Sequence, residues 1–170
     1  MEPQHRISID FESFYSKEFN LSKIPMQQYI LSEFYETIGV GVKVDATRTQ
    51  WFSGSMEDTT TWLRQFPWAQ ATLVGHHAAF DASILEWRHQ CFPAKYFCTM
   101  SAARALIAAF TKRGSVSLKN VAQYLDIGEK GDEVHNAIGM RRKDFSVSQL
   151  RDYGVYCVQD TDLCHQIDIA

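Results

Sequence analysis

The sequence predicts an α/β domain in which the first half of the chain builds a mixed sheet of about five strands and helices pack on its faces. Three observations predict it. Alternating or β-branched segments fall at 7–10, 38–44, 47–53, 71–75 and 96–98, all before residue 100. Helical spacing and capping patterns dominate from residue 78 onward. The chain has 170 residues, 45% of them hydrophobic, with no repeat or low-complexity linker, so one domain spanning 1–170 has enough apolar material for a core.

Each element follows from local pattern. Ile7 and Ile9 alternate with Ser8 and open a short strand that ends at Asp10. Residues 13–37 mix polar and aromatic types and read as a long loop with a short helix near 26–31. Residues 38–44 are β-branched with two glycines, and the Asp45-Ala46 turn leads into 47–53, which suggests an antiparallel hairpin. Residues 57–66 show helical spacing at Trp62, Leu63 and Phe66. The apolar run 71–75 is a strand that feeds a helix over 78–90, and 96–98 is a last strand. Thr99 stands where an N-cap belongs, ahead of an Ala-rich helix over 100–110. Ser117 is placed to cap a helix through Leu125, residues 128–143 are loop-like, and Ser146 with Gln149 forms a capping-box pattern opening a final helix to about Ile167.

Composition narrows the function. Twenty acids against seventeen bases give a net charge of −3, so bulk charge does not mark a nucleic-acid binder, and any such role rests on a local site. The longest near-apolar stretch, 102–110, is interrupted by Arg104 and is too short to span a bilayer. The first ten residues lack the apolar core and cleavage site of a secretory signal, which points to the cytoplasm. Cys91, Cys98, Cys157 and Cys164 form no CxxC pair, so free thiols are expected and a structural zinc site is not.

Three carboxylate patterns stand out. Asp10 and Glu12 are two apart, so an extended backbone puts them on one face, where each raises the other's pKa unless a cation sits between them. With 11 Asp and 9 Glu, chance gives about half an Asp-x-Glu in such a chain, and an exposed strand end with two solvated acids is the plain alternative. His76 and His77 precede a helix with Asp81 in its first turns, where simple dipole compensation also explains the acid. Tyr156 and Asp160 are four apart on the last helix, so both reach one water; Asp152 and Asp162 on the same helix are read as solvated.

In this order the patterns resemble the DEDD family of 3′→5′ exonucleases, in its Tyr-bearing branch. Asp10 and Glu12 match Asp-x-Glu, Asp81 matches the Asp of Asn-x₃-Asp with His77 in place of Asn, and Tyr156 with Asp160 matches Tyr-x₃-Asp. Val155 stands where the His-bearing branch needs its histidine. DFESFYSKEFNLSK, IGVGVKVD, SLKNVAQYLDIGEKG and YGVYCVQDTDL are similar to the exonuclease domain of bacteriophage family-A DNA polymerases. The resemblance implies a ribonuclease-H-like fold, and a stand-alone nuclease or an excised part serving a polymerase in cis or in trans, in the host cytoplasm if viral. It implies two divalent cations, Mg²⁺ or Mn²⁺, held by Asp10, Glu12, Asp81 and Asp160. Asp10 bridges the two, Glu12 and Asp160 complete the tighter site, and Asp81 holds the second ion through water. Tyr156 orients the attacking water, and 5′-nucleoside monophosphates leave one at a time from a DNA 3′ end.

For substrate contact, Phe11, Phe14 and Tyr15 are candidate stacking residues and His77 a candidate for the scissile phosphate, whereas Phe80 is read as core. Lys112-Arg113 and Arg141-Arg142-Lys143 are the densest basic clusters, either strand guides or solvated surface. Two other readings stay open: an RNA-trimming exonuclease of the ribonuclease D type, and a non-catalytic binding module on the same fold.

Overall fold

A computed structural model describes residues 2–128 and 137–170. Part of the 128–143 segment expected as loop lies outside the described residues; the rest includes a 3₁₀ turn over Arg142–Asp144.

Among the described residues five strands form one sheet: β1 (His5–Ser13), β2 (Thr37–Val44), β3 (Gln50–Phe52), β4 (Ala71–Gly75) and β5 (Lys95–Cys98). Their spatial order is β3-β2-β1-β4-β5. The first three are antiparallel neighbours, and β4 and β5 add in parallel, so the expected mixed sheet is present. The β2–β3 hairpin also forms, but residues 45–49 join its strands in place of a two-residue turn.

Among the described residues six α-helices cover the sheet: α1 (Met26–Leu31), α2 (Met56–Leu63), α3 (Ala78–His89), α4 (Thr99–Leu106), α5 (Leu118–Leu125) and α6 (Val147–Ile169). Alternation along β1 sorts the two faces. Ile7, Ile9 and Phe11 join Val40, Val42 and Leu73 in the main core, beneath Tyr29, Ile30, Leu63, Ile84 and Leu85 of α1, α2 and α3. Ser8, Asp10 and Glu12 take the other face, which α6 covers.

Gly41 makes that cover possible. A Cβ there would strike Thr161 Oγ1 and come within 3.1 Å of Cys157 Sγ, so only a residue without a side chain lets α6 lie this close. Gly39, its neighbour on the same face, leaves room in the same way for the indole of Trp51.

Some elements differ from the expectation. β1 does not end at Asp10 but runs to Ser13, because it keeps pairing with β2 through Glu12↔Gly39. Helix α2 stops at Leu63, short of Phe66. Thr99 is the first helical residue and caps nothing; its hydroxyl meets His76 Nδ1 at 2.9 Å. Helix α4 ends at Leu106, since Ile107 leaves helical geometry at φ −131°, ψ 0°, and a 3₁₀ turn over Ala108–Phe110 follows. The caps at Ser117 and Ser146 form as expected, the latter a full capping box with Gln149.

Candidate active site

The unequal lengths of β1 and β4 create the site. Their parallel pairing stops at Ser8↔Val74, yet β1 continues to Ser13. Beyond the end of β4, the edge of β1 is open, and the first turn of α3 fills the gap. Asp81 Oδ1 accepts the Phe11 backbone N–H at 3.1 Å, which satisfies a donor that no strand reaches. Asp81 is 4% exposed. Burial, and then the charges of Asp10 and Glu12, hold its carboxyl well above the usual carboxylate range, with the Phe11 N–H opposing them.

Helix α6 supplies the opposite wall with side chains at turn-by-turn spacing. Tyr153 donates its hydroxyl to Glu12, Tyr156 donates to Asp160, and Cys157 Sγ lies 3.6 Å from Asp10 Oδ2. Burial is the main reason all three groups are pushed upward, and the acids they face add to it, so each remains protonated and neutral. A carboxylate oxygen from each of Asp10 and Glu12 and Cys157 Sγ lie within 4.8 Å of one another. Asp160 is buried, at 6% exposure, and its field reaches both Tyr156 and Cys157.

The structure therefore gathers Asp10, Glu12, Asp81, Tyr156 and Asp160 around the outer end of β1. The donor set suits a hard divalent cation: carboxylate oxygens crowded on one side and partly withdrawn from water, with Asp81 pushed upward by burial and then by the charges of Asp10 and Glu12. The Cys157 thiol, held protonated, acts as a hydrogen-bond donor to Asp10 and not as a thiolate ligand.

The expected substrate contacts divide. Phe11 is 4% exposed, lies on the core face of β1 and stacks on His89 at 5.7 Å, so its ring is not open to a base. Phe14 is also committed inward: it is 9% exposed, against Phe19 at 6.0 Å and under the Arg141 guanidinium at 3.9 Å. Tyr15 is half-buried beside that cluster, and its carbonyl accepts the Gly139 N–H. His77 is exposed at the N-cap of α3, its ring parallel to Phe80 at 6.3 Å; Phe80 itself packs against the core, as expected.

Other residues take parts the sequence did not show. Arg141 is no strand guide: it pairs with Glu36 at 3.1 Å and binds the Phe34 carbonyl, tying the approach to α6 to the start of β2. Asp162 is not simply solvated but pairs with Lys43 of β2 at 3.0 Å, while Asp152 is exposed as expected. Tyr153, Cys157 and the Gly39/Gly41 pair were missed. The spacing of Tyr153, Cys157 and Asp160 on one helical face was their only signal. All four cysteines are free thiols.

No family model matches the chain, and no curated protein matches it. Among solved structures, Brucella melitensis NrnC with bound Mg²⁺ is similar over 96% of this chain and 70% of its own, with a TM-score of 0.58 and 17% identity. A second structure of Brucella melitensis NrnC gives the same values. The structure of the yeast NOT1 MIF4G domain co-crystallised with CAF1 is similar over 97% of this chain and 79% of its own, at a TM-score of 0.52 and 13% identity. The fold is ribonuclease-H-like. At these identities the likeness carries the fold, and it gives no support to a polymerase partner. Among the described residues no helix is long and apolar enough to cross a membrane.

Proposed function

We propose that the chain is a metal-dependent 3′→5′ exonuclease acting through Asp10, Glu12, Asp81, Asp160 and Tyr156, within one domain spanning 1–170. The observation that supports this most is the convergence of four carboxylates from β1, α3 and α6 on the outer end of β1, where burial and then the charges of Asp10 and Glu12 raise the Asp81 carboxyl well above the usual carboxylate range. A cluster of like charges opposes folding unless cations are its purpose. The Mg²⁺ of Brucella melitensis NrnC fits this reading.

Asp10, Glu12, Asp81 and Asp160 would hold two divalent cations, Mg²⁺ or Mn²⁺. When bound, such ions activate water and neutralise charge on a phosphoryl centre. The chain's own groups do the rest. Tyr156 keeps its proton, so its hydroxyl orients the attacking water and does not deprotonate it. Tyr153 and Cys157 hold Glu12 and Asp10 in place. His77, exposed at the start of α3, and Tyr15 would meet the terminal nucleotide. Water adds to phosphorus and the bond to the 3′ oxygen of the preceding nucleotide breaks. That oxygen takes a proton, and a 5′-mononucleotide leaves.

The polymerase-like segments named above favour DNA, as a single strand or a frayed primer end, with a polymerase in cis or in trans as the partner. The test is stepwise shortening of 5′-labelled DNA and RNA strands, side by side, with Mn²⁺ or Mg²⁺. DNA shortened from its 3′ end, with Asp10→Ala inactive, is the expected result. Shortening of RNA alone would transfer the activity to an RNA-trimming enzyme. Equal rates for the parent and Asp10→Ala would end the metal reading.

A further inference from the structure

Residues 87–125 hold six Lys or Arg and no Asp or Glu, in a chain whose net charge is −3. Two of the six have structural work. Arg88 binds the carbonyls of Ile30 and Ser32, and Lys95 pairs with Glu2. The other four, Arg104, Lys112, Arg113 and Lys119, are exposed on α4, on a 3₁₀ turn over Lys112–Gly114 and on α5.

Aromatic surface lies among them. Phe110 is 71% exposed and Tyr124 44%, and their rings stack at 6.4 Å with 23° between planes. Leu106, 74% exposed, extends the patch. Single exposed apolar residues are ordinary, but a stacked ring pair flanked by cations is not explained by the core.

The segment is fastened beside the acid cluster. His76 Nε2 meets the Val116 carbonyl at 2.8 Å, and its Nδ1 meets Thr99 Oγ1. His76 directly follows β4 and precedes His77, the N-cap of the helix that carries Asp81. Thr99 and Val116 are thereby fixed at the end of the sheet where the acids gather, and the ring pair lies further along, where Ile107 and Leu125 pack with Ile167 of α6.

Resting on the exonuclease reading above, we propose that Phe110, Tyr124, Lys112 and Arg113 form a binding surface for single-stranded nucleic acid, holding nucleotides upstream of the 3′ end at the acid cluster. An anionic polymer with flat rings is the occupant that uses both halves of the surface: bases stack on the aromatic faces while phosphates meet the cations. An acidic peptide would use the charge and leave the ring pair unmatched.

The test measures binding and cutting separately. Binding of a labelled single strand of about a dozen nucleotides is measured in EDTA, so no hydrolysis occurs. Phe110→Ala and Tyr124→Ala are each expected to weaken it about tenfold. The Lys112→Ala/Arg113→Ala double variant is expected to lower the log–log salt slope by about 1.4, roughly 0.7 per cation. Thermal melts of Phe110→Ala and of the Lys112→Ala/Arg113→Ala variant should match the parent's, because those side chains are exposed. With Mn²⁺, KM for the long strand should rise in the variants while turnover of a dinucleotide, too short to reach the patch, stays at the parent's value. Variants that bind like the parent would overturn the proposal, as would a parent that binds no strand, or equal losses on both substrates. A parent that binds through these residues and cuts neither substrate would uphold the surface and end the exonuclease reading instead.

Discussion

Tyr153 shows how one side chain links packing to chemistry. It is 4% exposed, its ring faces Phe145 at 5.5 Å and Trp51 at 6.5 Å, and its hydroxyl ends on Glu12. Tyr153→Phe keeps the ring contacts and removes only that hydrogen bond. The expected result is a ten- to hundredfold loss of Mn²⁺ affinity by titration calorimetry, with stability changed by about 1 kcal/mol. A purely structural tyrosine would change stability and leave metal affinity alone. His89 makes a different argument. It is fully buried behind Phe11, and burial, then Arg88 and Arg64, lower its pKa from 6.5 to about 4. The unfolded chain therefore binds a proton that the folded chain refuses. Stability from this residue is complete above about pH 6.5, falls as pH drops toward 4, and amounts to about 3 kcal/mol at most. Urea unfolding between pH 7.5 and 4.5 should show this loss, and His89→Leu should flatten it.

At the scale of elements, the site is a matter of how closely α6 lies on β1 and β2. The spacings of the candidate site residues were legible in the sequence because each is local: two residues along a strand, four along a helix. The strands and most helices were legible for the same reason. What the sequence hid depends on distant partners. The extension of β1 to Ser13 requires residues 37–40 beside it, and the part of Tyr153 requires Glu12, more than a hundred residues away. The use of Gly39 and Gly41 inside β2 is to let an indole and a helix approach the sheet. Gly41→Val tests that directly. The side chain would force α6 outward, so a loss of about 1–3 kcal/mol in urea unfolding is expected. Asp160 and Tyr156 would shift with the helix, and a displacement near 1 Å is enough to lower turnover about a hundredfold.

For the whole molecule, charge is distributed against the simplest folding interest. A chain of net charge −3 concentrates four carboxylates at one end of its sheet, and burial there makes one of them resist ionisation. The remaining stability is supplied elsewhere, by the core under α1 to α3 and by ties such as Arg6–Asp168 and Lys43–Asp162, which fix α6 to the sheet at its far end. Function and stability should then separate on substitution. Asp10→Asn removes one of the clustered charges while keeping shape, so in EDTA it should melt above the parent, by about 2–4 °C for each 1 kcal/mol of repulsion relieved. Added Mn²⁺ should reverse the ranking. The parent gains RT ln(1 + [L]/Kd), about 2.7 kcal/mol at a hundredfold excess over Kd, and the variant gains little. Melting curves of both chains with and without Mn²⁺ give the crossing directly. If the parent melts at the same temperature with and without the ion, the acids hold no cation, and their proximity would need another cause.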